Sequence, residues 1–291
     1  MLLHLLRAMR PKQWAKNAFL LPALFFDGRF FDPPSLVRVL AALVLFCGIS
    51  SAIYLINDLV DMEKDRQHPD KRHRPLASGA LAPATAAVAA LLLLAVCLPL
   101  AFALEVGLGL TAVLYVALML AYDYWLKHVV ILDMMTISAG FVLRVHAGAV
   151  VAHVSRFSPW LYVCATLLAL FIAVNKRRHE LILLAENANN HRSILDQYTV
   201  EFLDDVTSLV TAAVLVSYSF YTFSTPVDAG THRMMLTIPF VFYALLRYLY
   251  LVRTKQSGGA PEDIVLGDGP LIAAVLLWAA TAGAVIYFGY K

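Results

Sequence analysis

"VLAALVLFCGISSAIYLI", residues 39–56, runs directly into "NDLVDMEKDRQHPDKRHRPLASG", residues 57–79. The first stretch carries no charge, and its length approaches the roughly 20 residues a helix needs to cross about 30 Å of hydrocarbon. The second is dense in acid and base, so a highly charged segment stands at the mouth of a membrane span. The rest of the chain agrees with the first stretch. Sixty per cent of its 291 residues are hydrophobic, only 15% are charged, and the mean hydropathy is +0.72. That excludes a water-soluble domain. The apolar runs lack the period-2 alternation of a membrane barrel, so the expected fold is all-α and polytopic.

Nine spans are expected, near 17–31, 36–57, 82–103, 106–122, 131–151, 158–175, 206–226, 234–252 and 270–288. Positive charge orients them. Arg7, Arg10, Lys12 and Lys16 precede the first span, Lys64, Arg66, Lys71, Arg72 and Arg74 follow the second, and Lys176, Arg177, Arg178 and Arg192 follow the sixth. The opposite loops hold little beyond Arg29, Arg156, Arg233 and Lys291. The N-terminus is therefore expected in the cytoplasm and the C-terminus outside. Cytoplasmic loops fall near 58–81, 123–130, 176–205 and 253–269 of a single integral membrane domain, 1–291. The start, "MLLHLLRAMRPKQW", lacks the long apolar core of a cleavable signal and reads as an amphipathic surface helix stopped by Pro11. Cys47, Cys97 and Cys164 sit in separate spans without paired spacing and read as small packing residues.

If the second span continues as a helix, Asn57, Asp61 and Asp65 share one face, with Asp58 beside them and Tyr54 one turn earlier. Converging hard oxygen ligands suit Mg²⁺, which keeps several waters and bridges to a substrate's phosphates. The plainer reading is an interfacial acidic patch paired with Lys64, Arg66 and Lys71. Lys71, Arg72 and Arg74 follow closely and supply cations for phosphate, although the positive-inside rule alone would also place them there. Acid for metal beside base for phosphate is the pattern for a diphosphate substrate.

"NDLVDMEKD" followed by "HPDKRHRPLASG" resembles the first Asp-rich motif, NDxxDxxxD, of the UbiA-type intramembrane prenyltransferase superfamily. The resemblance implies nine helices around a central cavity, with Asp-rich loops holding Mg²⁺ and a diphosphate. The second family motif, DxxxD, is set against "YDYWLKHVVILD", where Asp123 is followed four residues later by Lys127. A cation in place of a carboxylate discourages a second metal and favours phosphate oxygens. "RPKQWAKN", "GFVLRVHAG", "NKRRHEL", "RYLYLVRT" and "GGAPEDIVLGDGPL" are similar to the decaprenyl-phosphate phosphoribosyltransferase branch.

That branch implies transfer of 5-phosphoribose from 5-phosphoribosyl 1-diphosphate to a polyprenyl phosphate, with release of diphosphate. The donor carries phosphate at both ends, so many cations are expected. On this reading Asn57, Asp61 and Asp65 hold Mg²⁺, Asp58, Asp61 and Lys127 are catalytic, and Lys16, Tyr54, Lys71, Arg74, Lys127, Arg144 and Lys176 contact substrate. Arg144 stands out because it lies within an apolar span, where an unpaired guanidinium costs several kcal/mol. Trp14 reads as an interfacial anchor. The expected setting is the cell membrane with the site on its cytoplasmic side, among membrane lipids and without a nucleic-acid partner, with a homo-oligomer as one candidate assembly. Two other readings stay open: a prenyltransferase using a prenyl diphosphate and an aromatic acceptor, and a transporter whose buried charges mark a permeation path.

Overall fold

The computed structural model describes residues 1–67, 71–154, 158–185, 194–224, 232–254, 264 and 267–288, with backbone alone at 183–185 and 196. Its chain forms two compact units, Met1–Leu24 with Arg29–Val154, and Phe25–Gly28 with Ser155–Lys291. Every regular element among the described residues is helical. Among the described residues eight helices are long and apolar enough to cross a membrane, four in each unit.

In the first unit α1 (Leu2–Ala8) leads into a 3₁₀ segment (Pro11–Leu20) and the short α2 (Leu21–Phe26), whose last two residues belong to the second unit. These replace the single α-helix expected over 17–31. A 3₁₀ turn rises about 2.0 Å per residue against 1.5 Å for an α turn, so Pro11–Phe26 has a path of roughly 29 Å. Then follow α3 (Pro33–Val60), α4 (Met62–Gln67), α5 (Pro83–Leu104), α6 (Val106–Tyr124) and α7 (Leu132–Val151).

Asp32 starts α3 by accepting from the Ser35 amide at 3.2 Å, with Pro33 and Pro34 in the first turn. Its 28 residues rise about 42 Å, roughly 12 Å more than the hydrocarbon layer, so the final turns carry the acidic motif past the apolar zone. α3 packs against α5, α6, α7 and the 3₁₀ segment, with Phe46, Ile49, Leu108, Tyr115 and Ala147 in the shared core.

Lipid supplies little hydrophobic drive between spanning helices, so close packing and buried hydrogen bonds hold them. Gly148 shows how close. A Cβ there would fall 1.9 Å from the Leu20 carbonyl oxygen, backbone that cannot swing aside. Gly148→Ala is therefore expected to cost at least the roughly 1–3 kcal/mol of an overpacked core and to push the 3₁₀ segment off α7. A lowered thermal midpoint of the purified protein checks this; an unchanged midpoint contradicts it.

The second unit contains α8 (Pro159–Ala185), α9 (Val200–Ser224), α10 (Ile238–Thr254) and α11 (Gly269–Phe288). α8 packs on α9 and α10 on α11. Tyr218 joins them, exchanging a 2.6 Å hydrogen bond with Thr237 and accepting one of 2.7 Å from the Trp278 indole. The segment 225–231, most of "GGAPEDIVLGDGPL" and residues 68–70 of the opening motif lie outside the described residues.

Candidate active site

The end of α3, the segments that follow α1 and α3, and the end of α6 with the turn after it bring four carboxylates and three cations together within the first unit. The Asp61 amide bonds to the Asn57 carbonyl at 2.9 Å and the Asp65 amide to the Asp61 carbonyl at 2.8 Å, so helical spacing carries through the motif. The side chains nevertheless divide. α3 ends at Asp61, whose φ of −94° and ψ of 5° leave the helical region and re-aim α4. The single expected row of Asn57, Asp61 and Asp65 is thus two groups.

One group contains Asn57, Asp61, Asp123 and Lys127. The Lys127 ammonium donates to both Asp61 oxygens, at 2.7 and 2.9 Å, and its side chain is only 3% exposed. The Asn57 amide donates to Asp123 at 2.6 Å and to Asp61 at 3.3 Å. Asp123 is buried, and among the described residues its second oxygen has no hydrogen-bond partner. Lys127, Asp61 and Arg10 all lie within electrostatic range of Asp123. Ile131, in the turn that carries Lys127 to α7, has a φ of 70°, costly for a β-branched residue and characteristic of backbone held by its surroundings.

The other group contains Asp58, Asp65, Arg10 and Arg74. Arg74 bridges the two carboxylates, 2.6 Å from Asp65 and 3.2 Å from Asp58. Arg10 pairs with Asp58 and lies over the Tyr54 ring, 5.1 Å from its centre. Arg10 itself is in the left-handed region, φ 53° and ψ 62°, a strained conformation at the point where α1 turns into the 3₁₀ segment. Arg74 is set by a tight turn, its amide on the Lys71 carbonyl at 2.9 Å, which leaves Lys71 half-buried beside it.

The remaining expected contacts stand elsewhere. Arg144 is buried twelve residues, about 18 Å of helical rise, beyond the start of α7. Its guanidinium donates to Asn17 at 2.9 Å, the Gly140 carbonyl at 2.8 Å and the Tyr115 hydroxyl at 2.7 Å, and lies against the Tyr115 ring. Among the described residues no carboxylate pairs with it. Neutral dipoles inside the bundle meet the charge, and these bonds fasten the 3₁₀ segment to α6 and α7. Asn17 completes that fastening through Ser50 at 3.2 Å and Cys47 at 3.3 Å. Trp14 donates to Ser51 at 2.9 Å and is a tie to α3 rather than only an interfacial anchor. Lys16 is half-buried on the same segment. Lys176 belongs to the second unit, where it is exposed, whereas its neighbour Arg177 is buried and paired with Glu180.

Arg10 and Asp123 are the functional candidates that sequence reasoning left out of the site. Helical spacing relates near neighbours only, and these two reach the motif from 48 and 66 residues away. The available signal for Asp123 was its place at the head of the segment set against the second family motif, four residues before Lys127.

Among the described residues no three carboxylate, imidazole or thiolate side chains form a ready cage for a metal ion. Two carboxylates and an amide, completed by substrate oxygens, remain the available ligand set, which is the manner in which Mg²⁺ is usually held. Residues 18–264 match the UbiA prenyltransferase family. The chain is a member of that family. Decaprenyl-phosphate phosphoribosyltransferase of Corynebacterium glutamicum is 37% identical over 281 residues, 94% of this chain and 84% of that protein. The enzyme of the same name from Mycolicibacterium smegmatis is 36% identical over 298 residues, 98% of this chain and 92% of its own. Among solved structures, a UbiA homolog from Archaeoglobus fulgidus bound to DMAPP and Mg²⁺ matches with a TM-score of 0.73, covering 97% of this chain and 98% of that one. At 20% identity that likeness shows the fold. This UbiA-family chain is a multi-pass membrane protein. Arg10, Lys16 and Asn17 precede the matched residues, so the family match alone does not point to them.

Proposed function

We propose that the protein is a phosphoribosyltransferase that moves 5-phosphoribose from 5-phosphoribosyl 1-diphosphate to a polyprenyl phosphate. The observation that carries this is the near full-length similarity to decaprenyl-phosphate phosphoribosyltransferases at 36–37% identity. The geometry supports it. Arg10, Arg74 and Lys127 reach one motif from three segments, and each is held on a carboxylate that a phosphate can replace.

The donor's 5-phosphate is assigned to Arg10 and Arg74, with Tyr54 beneath and Lys71 alongside; the diphosphate is assigned to Lys127. Asn57 and Asp61 would hold Mg²⁺. The fit is chemical: they present hard oxygens on successive turns of one helix, and the unpartnered Asp123 oxygen lies beside them. When bound, the ion supplies charge stabilisation to the departing diphosphate. Asp65 and Asp58 position Arg74 and Arg10, so the catalytic role read for Asp58 becomes one of orienting a phosphate-binding cation.

A phosphomonoester has its second ionisation near pH 6 and is largely dianionic at neutral pH, so the lipid phosphate attacks C1 without a dedicated general base. An oxygen–C1 bond to the lipid phosphate forms, the C1–oxygen bond to diphosphate breaks, and Lys127 steadies the charge on the leaving group. The excess of Lys and Arg in the loop that carries the motif supports a site on the cytoplasmic side of the cell membrane.

Donor choice is tested by ligand protection. With Mg²⁺ present, 5-phosphoribosyl 1-diphosphate is expected to raise the thermal midpoint more than geranylgeranyl diphosphate does. A ligand at about 100 times its Kd adds about 2.7 kcal/mol. The reverse ranking assigns the protein to prenyl transfer.

A further inference from the structure

Asp123 is buried on α6, gives one oxygen to Asn57 and leaves the other with no hydrogen-bond partner among the described residues. A buried carboxylate oxygen without a partner is expensive unless a cation completes it. Asn57 connects this group to Asp61, at 2.6 and 3.3 Å. The one cation on Asp61 among the described residues is the Lys127 ammonium, which takes both of its oxygens and is withdrawn from water. An ammonium there satisfies the same carboxylate that a divalent ion would use, and the two cations repel each other.

We propose that Asp123 is a ligand of the divalent cation together with Asn57 and Asp61, and that Lys127 is a tethered cation occupying that place until a diphosphate draws it off. The diphosphate's identity as a phosphoribosyl donor rests on the function proposed above; the exchange does not. Metal alone must displace Lys127 and binds weakly. A diphosphate offers the ammonium new oxygens, frees Asp61 and improves metal binding, and by linkage the metal improves diphosphate binding equally. The protein thereby binds the two together and avoids holding a metal at an empty donor site.

The test uses Mn²⁺ on the purified full-length protein in detergent, with free ion counted by electron paramagnetic resonance. Inorganic diphosphate is the second probe, corrected for protein-free Mn²⁺–diphosphate. Wild type is expected to bind Mn²⁺ weakly alone and roughly tenfold or more tightly with diphosphate. Lys127→Gln is expected to bind Mn²⁺ alone roughly tenfold or more tightly than wild type, the scale of one charge-assisted hydrogen bond lost from the competing state, and to gain little from diphosphate. Asp123→Asn in the Lys127→Gln background is expected to reverse that gain. Lys127→Met replaces Lys127→Gln if the latter does not elute as a folded monodisperse species. Unchanged or weaker Mn²⁺ binding by the Lys127 variant, or no effect of Asp123→Asn, overturns the proposal. The titration needs no turnover, so a failure of phosphoribosyl transfer by wild type bears on the proposed function and leaves this result to stand or fall separately.

Discussion

Asp61→Ala is expected to lower turnover by roughly 10³-fold or more, because on the proposed function it removes a ligand of the ion that stabilises the leaving diphosphate. The structure adds a second consequence. Asp61 is the carboxylate on Lys127, so the substitution leaves a buried ammonium with its partner gone, a situation that costs about 3–5 kcal/mol. Asp61→Ala with Lys127→Met removes that charge and is expected to recover thermal stability without recovering turnover. Steady-state kinetics at limiting Mg²⁺, run beside thermal unfolding of both variants, separates the two effects. A folded Asp61→Ala protein with normal turnover would remove Asp61 from the metal site.

Lys127→Ala is expected to reduce kcat/KM by roughly tenfold to hundredfold, corresponding to about 1.5–3 kcal/mol of lost charge-assisted bonding to phosphate. Lys127→Asp is expected to be worse. It restores an acidic residue four positions after Asp123 but turns a negative charge toward the diphosphate. Kinetics across a Mg²⁺ titration discriminate: an Asp variant matching wild type would mean that Lys127 does not meet phosphate and that the donor assignment is wrong.

Much of the fold and part of the site are legible in the amino-acid sequence. The length of the apolar runs requires membrane helices, and the motif's spacing places Asn57, Asp61 and Asp65 on successive turns, as their backbone hydrogen bonds do. Hydropathy is blind to whether an apolar segment rises as an α or a 3₁₀ helix, which is why 17–31 reads as an ordinary span and is instead a 3₁₀ segment followed by six α residues. Pairing across the fold is equally invisible to it. Lys127 reads as a phosphate-binding cation at the place of a second metal carboxylate, and the sequence does not reveal that it reaches the first motif and closes on Asp61. The partners of Arg144 are likewise hidden in the sequence. Its cost is real, but Asn17, Tyr115 and the Gly140 carbonyl meet it from three segments, and no pattern in the sequence joins those residues. At positions 176 and 177 the register of α8 decides, exposing Lys176 and burying Arg177.

The central claim is that a sugar phosphate is transferred to a lipid phosphate, and one assay reaches it directly. Purified protein would be incubated with Mg²⁺, 5-phosphoribosyl 1-diphosphate radiolabelled in the ribose, and decaprenyl phosphate, and both the organic-phase label and free diphosphate measured. The account predicts a labelled lipid and diphosphate in equal amounts, each dependent on the metal and on the lipid. Absence of labelled lipid, with diphosphate released instead from a prenyl diphosphate and an aromatic acceptor, would contradict it.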